Sequence, residues 1–342
     1  MTDHGGSRRS GRVTLSDVAR RAEVSRALVS IVMRDVAGAS EATRARVKAV
    51  ADEMGYRPDV RARSLAGQRS RLIGVMFDVG VGRFHFDLLE GLYAAAERNG
   101  HTLVLTALTA GRDERKAAQS LQDFRFDALI MLGPPTSQPL LAGRVPVVVI
   151  GWHVEDPRVD VVRTSDDQGM DQAVRHLTAL GHRGIAHLDG GDGVIAVARR
   201  QAYLTAMHTQ GLGAQVQVVS GGQTQLDGER AARALLARPG DRPTALIAYN
   251  DDLAVGAMGL LAQQHVDVPT EMSIIGWDDG AAAALSPVGL TSVAQQPAEL
   301  ARLAVERTIL RMEGGDVPNH QIVLAPELTA RSSTASAPTV MS

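Results

Sequence analysis

Apolar residues recur at helical spacing three times before position 60. Leu15, Val18, Ala19 and Ala22 form the first stripe, and Thr14 with Asp17 matches a capping box, a hydroxyl and an acid three residues apart over the orphan amides of a helix start. Ser25 can cap a second helix, in which Val29, Val32 and Met33 point away from Arg26, Ala27, Ser30 and Arg34. A third stripe (Val47, Val50, Ala51, Met54) follows Ser40 and ends at Gly55 and Pro58, a left-handed cap and a residue that cannot continue a helix. Two short helices separated by about three residues, the second studded with Arg, fit a helix-turn-helix.

From Arg71 onward the pattern changes. Short apolar runs at 72–77, 102–106, 128–132, 147–150, 185–188, 245–248 and 273–276 read as buried strands. Amphipathic stretches at 88–98, 117–124, 168–180, 199–209, 229–236, 253–263 and 298–312 lie between them as helices. This alternation predicts doubly wound parallel sheets, and a body of this length suits two subdomains better than one.

Charge sharpens the division. Up to Arg71 there are fifteen Lys and Arg against eight Asp and Glu; the remainder carries twenty-one against thirty, so a net charge of −2 conceals a basic head on an acidic body. A segment that meets a polyanion has this signature, although uneven Arg usage on a solvated surface also produces it. The sequence has no cysteine, which excludes disulfides, thiolate catalysis and Cys-based metal sites. It contains no apolar run long enough for a membrane helix, and its polar start (Arg8, Arg9, Arg12) lacks the apolar core of a secretory signal. The expectation is a cytoplasmic, nucleoid-associated protein.

Enzyme signatures are absent. There is no Gly-x-Ser-x-Gly elbow, Lys48 and Lys116 sit in no phosphate-binding loop, and Gly80-Val-Gly82 lacks the third Gly of a dinucleotide fingerprint. His176 and His182 flank a turn without metal-ligand spacing, so neither a metal nor a cofactor is expected.

Several motifs fall in order along the chain: the run from Val13 to Ser30, Ser40-Glu-Ala-Thr-Arg44, Gly55-Tyr-Arg-Pro58, Asn250-Asp251, Gly276-Trp-Asp-Asp279 and Arg331-Ser-Ser-Thr334. Together they resemble the LacI/GalR family of transcription regulators over nearly the whole chain. The resemblance implies a helix-turn-helix headpiece, lambda-repressor-like, on a periplasmic-binding-protein-like core of two doubly wound parallel-sheet subdomains. It divides the chain into a basic arm (1–12), a DNA-binding domain (13–58), a hinge (59–70), a core (71–335) and a tail (336–342). Within the core it assigns about 71–162 and 291–319 to one subdomain and about 163–290 and 320–335 to the other, with crossings near Val162, Leu290 and His320.

The implied partners are double-stranded operator DNA, a small-molecule effector such as a sugar, and a second copy of the chain. Arg26 and Ala27 would take base-reading positions, with Thr14, Ser25, Ser30 and Arg34 near phosphates. Ile31 stands where an Arg is usual, Leu28 replaces Thr, Arg34 replaces Asn, and Glu23 replaces the turn Gly. An operator unlike the common family one is therefore expected, since Ile31 donates no hydrogen bond. In the hinge, Arg63 counts among the DNA contacts and Leu65 would wedge into the minor groove. Seven or so residues cannot hold a helix alone in water, so a flexible linker in the free protein is the other reading of this segment.

Open parallel sheets bind ligands beyond the carboxyl ends of their strands. That draws attention to Asp78, Gly151-Trp152, Asn250-Asp251 and Trp277-Asp278-Asp279. The resemblance adds Arg199 as an effector-contacting residue, and Gln295 completes the set. Arg, Asn and Asp offer fixed donors and acceptors to a polyhydroxylated ligand, and Trp152, Trp277 or Phe84 can cover its apolar side. Each has a duller reading: Asp251 or Asp278 as a helix cap, Trp277 as core, Arg199 as half of an ion pair. Gly151 replaces an acid common in sugar-binding relatives, and residues 81–85 lack the usual Asn-Pro-Phe-Phe, so nucleoside, polyol or no effector also fit. The expected function is a ligand-responsive repressor that binds a palindromic operator as a dimer. The alternative is a periplasmic-type solute-binding protein. No leucine heptad follows Ser332, which argues against a tetramerising coil.

Overall fold

The computed structural model describes residues 13–33, 36–56, 70–78, 82–122, 124–133, 144–239, 242–284, 289–317 and 319–338. The arm at 1–12, Arg34, Arg63 and Leu65 lie outside the described residues. The chain divides into two compact units, Met1–Ser70 and Arg71–Ser342.

The first unit holds α1 (Leu15–Arg21), α2 (Arg26–Met33) and α3 (Glu41–Glu53). Both halves of the Thr14–Asp17 capping box form, and Ser25 Oγ accepts from the Leu28 amide at 3.1 Å. Val18, Ala19, Val29, Val32, Val47 and Ala51 make the core, and Tyr56 closes it. Tyr56 is brought there by Gly55, whose φ of 64° ends α3 in the left-handed turn that glycine adopts without strain. Glu23 occupies the turn between α1 and α2 at a φ of 53°, a conformation that costs a side chain about 1 kcal/mol or more. Arg21 reaches Glu53 at 3.2 Å, tying α1 to α3 on the surface.

The second unit is two sheets with helices on both faces. The first begins with β1 (Leu72–Asp78), α4 (Phe84–Arg98), β2 (Thr102–Leu108), α5 (Glu114–Gln122), β3 (Ala128–Leu132), β4 (Val147–Ile150) and β5 (Val159–Thr164). The chain then builds α6 (Asp166–Ala179), β6 (Ile185–Asp189), α7 (Val194–Thr209), β7 (Gln217–Ser220), α8 (Gln225–Leu236), β8 (Ala245–Ala248), α9 (Asp251–Gln263), β9 (Ser273–Asp278), the single turn α10 (Ala281–Ala284) and β10 (Thr291–Ala294). It ends with α11 (Pro297–Met312), β11 (Gln321–Leu324) and β12 (Glu327–Thr329).

The first sheet runs β11-β5-β4-β3-β1-β2, all parallel. The second runs β12-β10-β9-β8-β6-β7, parallel except for β12, which pairs antiparallel with β10. Central strands such as β3 and β8 are buried at every position, as strands covered on both faces must be. In the first lobe α4 and α11 pack on one face through Leu88, Leu92, Leu300, Ala304 and Val305. In the second, α8 and α9 cover one face, and α6 and α7 the other.

The topology corrects the expected crossings. β5 belongs to the first sheet, so the chain leaves that lobe after Thr164 rather than near Val162. β10 belongs to the second sheet, which puts the return after Ala294 rather than near Leu290. β11 belongs to the first sheet, so the last crossing follows Leu324 rather than His320. In each case the chain completes a strand's ladder before it changes lobes. The core also extends beyond 335, because the Ala337 amide donates to the Leu180 carbonyl at 2.8 Å. Among the described residues no helix is long and apolar enough to cross a membrane.

Candidate functional sites

On the helix-turn-helix unit, Ser25, Arg26 and Ala27 stand exposed at the start of α2. Ser30 is half-buried one turn on. Thr14 keeps its hydroxyl in the capping box, donating to Asp17 Oδ2 at 2.6 Å, and that bond holds the Asp17 carboxyl below its usual range. Ile31 is not a free tip. It is half-buried, and its Cγ2 lies 3.6 Å from where a Cβ at Gly38 would stand, so it packs on the turn that follows α2.

Between the lobes of the second unit, a cleft with about 60 Å³ open to water lies at the carboxyl ends of the strands. It is lined by Phe84, Arg199, Asn250, Asp278 and Gln295, five of the residues singled out from sequence. His85, Leu88, Ile150, Ile195, Gln223 and Tyr249 line it too, with Gly82, Gly133 and Gly151.

Arg199 is the centre of this wall. It is 5% exposed, yet its guanidinium carbon sits 4.5 Å from the Trp277 ring centroid and 4.8 Å from that of Tyr249. Nε donates to Asp166 Oδ1 at 3.0 Å and Nη1 to the Tyr249 carbonyl at 2.6 Å. Burial opposes the charge, but Asp166, Tyr249 and Asp278 outweigh it and hold Arg199 above its ordinary pKa. Two glycines make room for the flanking rings. A Cβ on Gly169 would stand 2.7 Å from the Trp277 indole, and one on Gly190 would overlap the Tyr249 ring.

Asp278 enters the cleft from strained backbone: its φ is 108° and that of Asp279 is 53°. Two such residues in a row cost about 1–3 kcal/mol each, and the surroundings brace them. The Asp279 amide donates to Ser292 Oγ at 3.0 Å, and Thr329 donates to the Asp279 carboxylate at 2.9 Å. Asp251 braces the same turn, accepting from Gly280 N at 2.9 Å and Ser292 Oγ at 2.6 Å. Gln295 Nε2 donates to Asp278 Oδ1 at 2.6 Å. Burial pushes the carboxyls of both Asp278 and Asp251 well up, against the pull of Arg199 on the first and of hydrogen bonds from Ser292 and Gly280 on the second.

Four expected effector residues are placed elsewhere. Asp251 is buried beneath the turn and does not line the cleft; the cap of α9 is Asn250, whose Oδ1 accepts from the Leu253 amide at 2.8 Å. Trp277 is fully buried and serves as the floor under Arg199, because β9 runs two residues further than expected. Trp152 is half-buried outside the cleft lining. Asp78 is exposed at the end of β1, near enough to act on the charge of His85.

Sequence reasoning missed His85, Gln223 and Tyr249. Gln223 follows β7, a strand whose mixed burial gives no clear apolar run, so the loop after it drew no attention. Tyr249 directly precedes the Asn250-Asp251 pair, and the rule that looks beyond strand ends reaches it. His85 was visible only as a departure from an expected motif.

A helix-turn-helix unit and a two-lobed α/β body with a polar interlobe cleft define a DNA-binding protein with a built-in small-molecule receptor. Residues 14–59 match the bacterial regulatory proteins of the lacI family, and residues 174–334 match the periplasmic binding protein-like domain. The ribose operon repressor of Escherichia coli strain K12 is 32% identical over 329 residues, covering 94% of this chain and 99% of the relative. The structure of the lac repressor dimer bound to operator and an anti-inducer superposes with a TM-score of 0.84 at 27% identity, covering 95% of this chain and all of that one. A LacI transcriptional regulator from a Rhodococcus species is 38% identical with a TM-score of 0.73, over 78% of this chain and all of that one. The chain belongs to the lacI family of bacterial regulatory proteins.

Proposed function

We propose that this protein is a homodimeric repressor acting at the nucleoid in the cytoplasm, and that an uncharged polyhydroxylated molecule of the sugar class binds between its lobes. The observation that carries the ligand reading is the second lobe's wall: a buried, ring-faced Arg199 beside Asp278, Asn250 and Gln223, with Gln295 at the adjoining crossing. These side chains supply fixed donors and acceptors for hydroxyl groups, and Phe84, Leu88 and Ile150 opposite supply an apolar face. Arg199 is already paired with Asp166, so the wall carries no surplus positive charge to hold a phosphate. One relative is a ribose operon repressor, which supports the sugar class.

Ser25, Arg26 and Ala27 present themselves to the major groove, with Thr14 and Ser30 near phosphates and Ile31 as packing rather than readout. Residues 59–70, with Arg63 and Leu65, act as the hinge. Two-fold symmetry then matches a palindromic operator. The ligand shifts the lobe arrangement by its difference in affinity, typically ~1–3 kcal/mol, and action is by binding without a catalytic step.

Selection of bound sites from random duplexes tests the reading. A palindromic consensus is expected, and Arg26→Ala should weaken binding to it by ~5–100-fold while leaving nonspecific DNA binding unchanged, the loss of a bidentate base contact. Absence of any sequence preference, with or without sugars, overturns it.

A further inference from the structure

The two walls of the cleft differ in kind. Arg199, Gln223, Tyr249, Asn250 and Asp278 belong to the second lobe and Gln295 stands at the second crossing, directly after β10; of the described lining residues His85 is the one polar side chain from the first lobe itself. The other first-lobe residues there are three glycines, Phe84, Leu88 and Ile150.

His85 sits in the first turn of α4, edge-on to Phe84 with ring centroids 5.9 Å apart. Its Nδ1 is buried without a hydrogen-bond partner among the described residues. A buried polar atom left unpaired costs about 1–3 kcal/mol, so its retention in a cleft lining points to a partner that arrives with the ligand. Burial lowers the imidazole to about 4, more than the charge of Asp78 raises it, so the ring is neutral near pH 7. A neutral imidazole offers one donor and one acceptor, which suits a hydroxyl and gives no attraction to an anion.

We propose that His85 is a specificity-determining residue of the cleft, the hydrogen-bonding group through which a ligand hydroxyl engages the first lobe while the second lobe holds the rest of the molecule. The inference rests on the cleft being a sugar-class site. It assigns to His85 the polar link across the cleft, since the other described first-lobe lining residues are apolar or glycine. The first lobe is also the one whose opening strand follows the helix-turn-helix unit in sequence, so a ligand bonded to His85 pulls on the lobe nearest in the chain to the DNA-binding segment.

The experiment is calorimetry on the full-length protein with D-ribose, D-xylose, D-glucose, D-galactose, D-mannitol and D-ribose 5-phosphate, for wild type, His85→Phe and His85→Asn. Wild type should bind at least one neutral member and discriminate against the phosphate. For that sugar, His85→Phe should bind ~10–100-fold more weakly. His85→Asn, which keeps a donor and an acceptor, should recover most of the loss. Histidine-selective ¹⁵N spectra should show the ring signal missing from His85→Phe shifting when the wild type takes up the sugar. Unchanged affinity in His85→Phe, or no shift of that signal, overturns the role of His85 and leaves the sugar-class reading standing. No binding of any neutral member to the wild type overturns the sugar-class reading and this inference with it.

Discussion

The two lobes are built to one plan, six strands with helices on both faces, but they treat polar groups differently. Among the described cleft residues the first lobe supplies Phe84, Leu88, Ile150, three glycines and one polar side chain, His85. The second buries a guanidinium, two carboxyls of raised pKa and a strained turn behind its wall. Such groups are costly to bury, and each is braced: Trp277, Tyr249 and Asp166 for Arg199, then Ser292, Gly280 and Gln295 for the two aspartates. The difference teaches a division of labour in which one wall carries most of the fixed polar groups and the other is mainly an apolar cover with one polar side chain, His85. A preorganised polar wall keeps its orientation before the ligand arrives, so little ordering remains to be done on binding.

The largest test removes the floor of that wall. Trp277→Ala should cost ~3–5 kcal/mol in denaturant unfolding and weaken binding of the wild type's sugar at least tenfold, since Arg199 loses a ring face. The matching deletion in the other lobe, Leu92→Ala on α4, should cost ~2–5 kcal/mol and leave affinity unchanged. If both variants bind the sugar equally well, the two walls are not different in kind.

Acidity separates the buried histidines from the buried carboxyls next. The pKa values of His85 and His187 fall to about 4 in the fold, chiefly through burial, so the stability they add is complete above 6.5 and fades as pH falls toward 4. Asp251 and Asp278 have raised values, so the stability they add is complete below about 3.8 and fades as pH rises. The two trends oppose each other between about 4 and 6.5. Above 6.5 only the carboxyls still change, and stability should decline with rising pH. Melting temperatures from pH 5 to 8.5 should trace a plateau and then a fall, and Asp251→Asn should flatten the fall. A steady rise through pH 8 would contradict the assignment.

The smallest effect lies in the helix-turn-helix unit. Glu23→Gly should stabilise that unit by ~0.5–1 kcal/mol, because glycine takes a φ of 53° without strain but pays more backbone entropy on folding. Thermal unfolding of the unit's own transition reads it, and a loss of stability would argue against strain at the turn.

Much of this was legible in the sequence. The capped stripes of the head gave all three helices, and the uniformly apolar runs gave the central strands. β5, β7, β10, β11 and β12 were missed: the last four have four or fewer residues, several of them only half-buried, and leave no periodicity to read, while in β5 Asp160 and Arg163 break the apolar run. That omission also misplaced the crossings. At the site, Arg199, Asn250 and Asp278 were found through motif order and strand ends. Asp251 and Trp277 were assigned to the ligand because sequence neighbours look equivalent, whereas alternation along β9 turns Trp277 into the sheet packing and the backbone of 278–279 turns Asp278 outward. Register and φ decide such cases, and neither is visible in composition.

The chain passes between the lobes three times, after Thr164, Ala294 and Leu324. Three side-by-side tethers act like the leaves of a book spine: bending the covers apart is easy, and twisting or sliding one against the other strains every thread at once. Ligand-driven motion is thereby confined to few directions. Neither cover can be cut free as a contiguous fragment, since each is stitched from separate stretches of sequence.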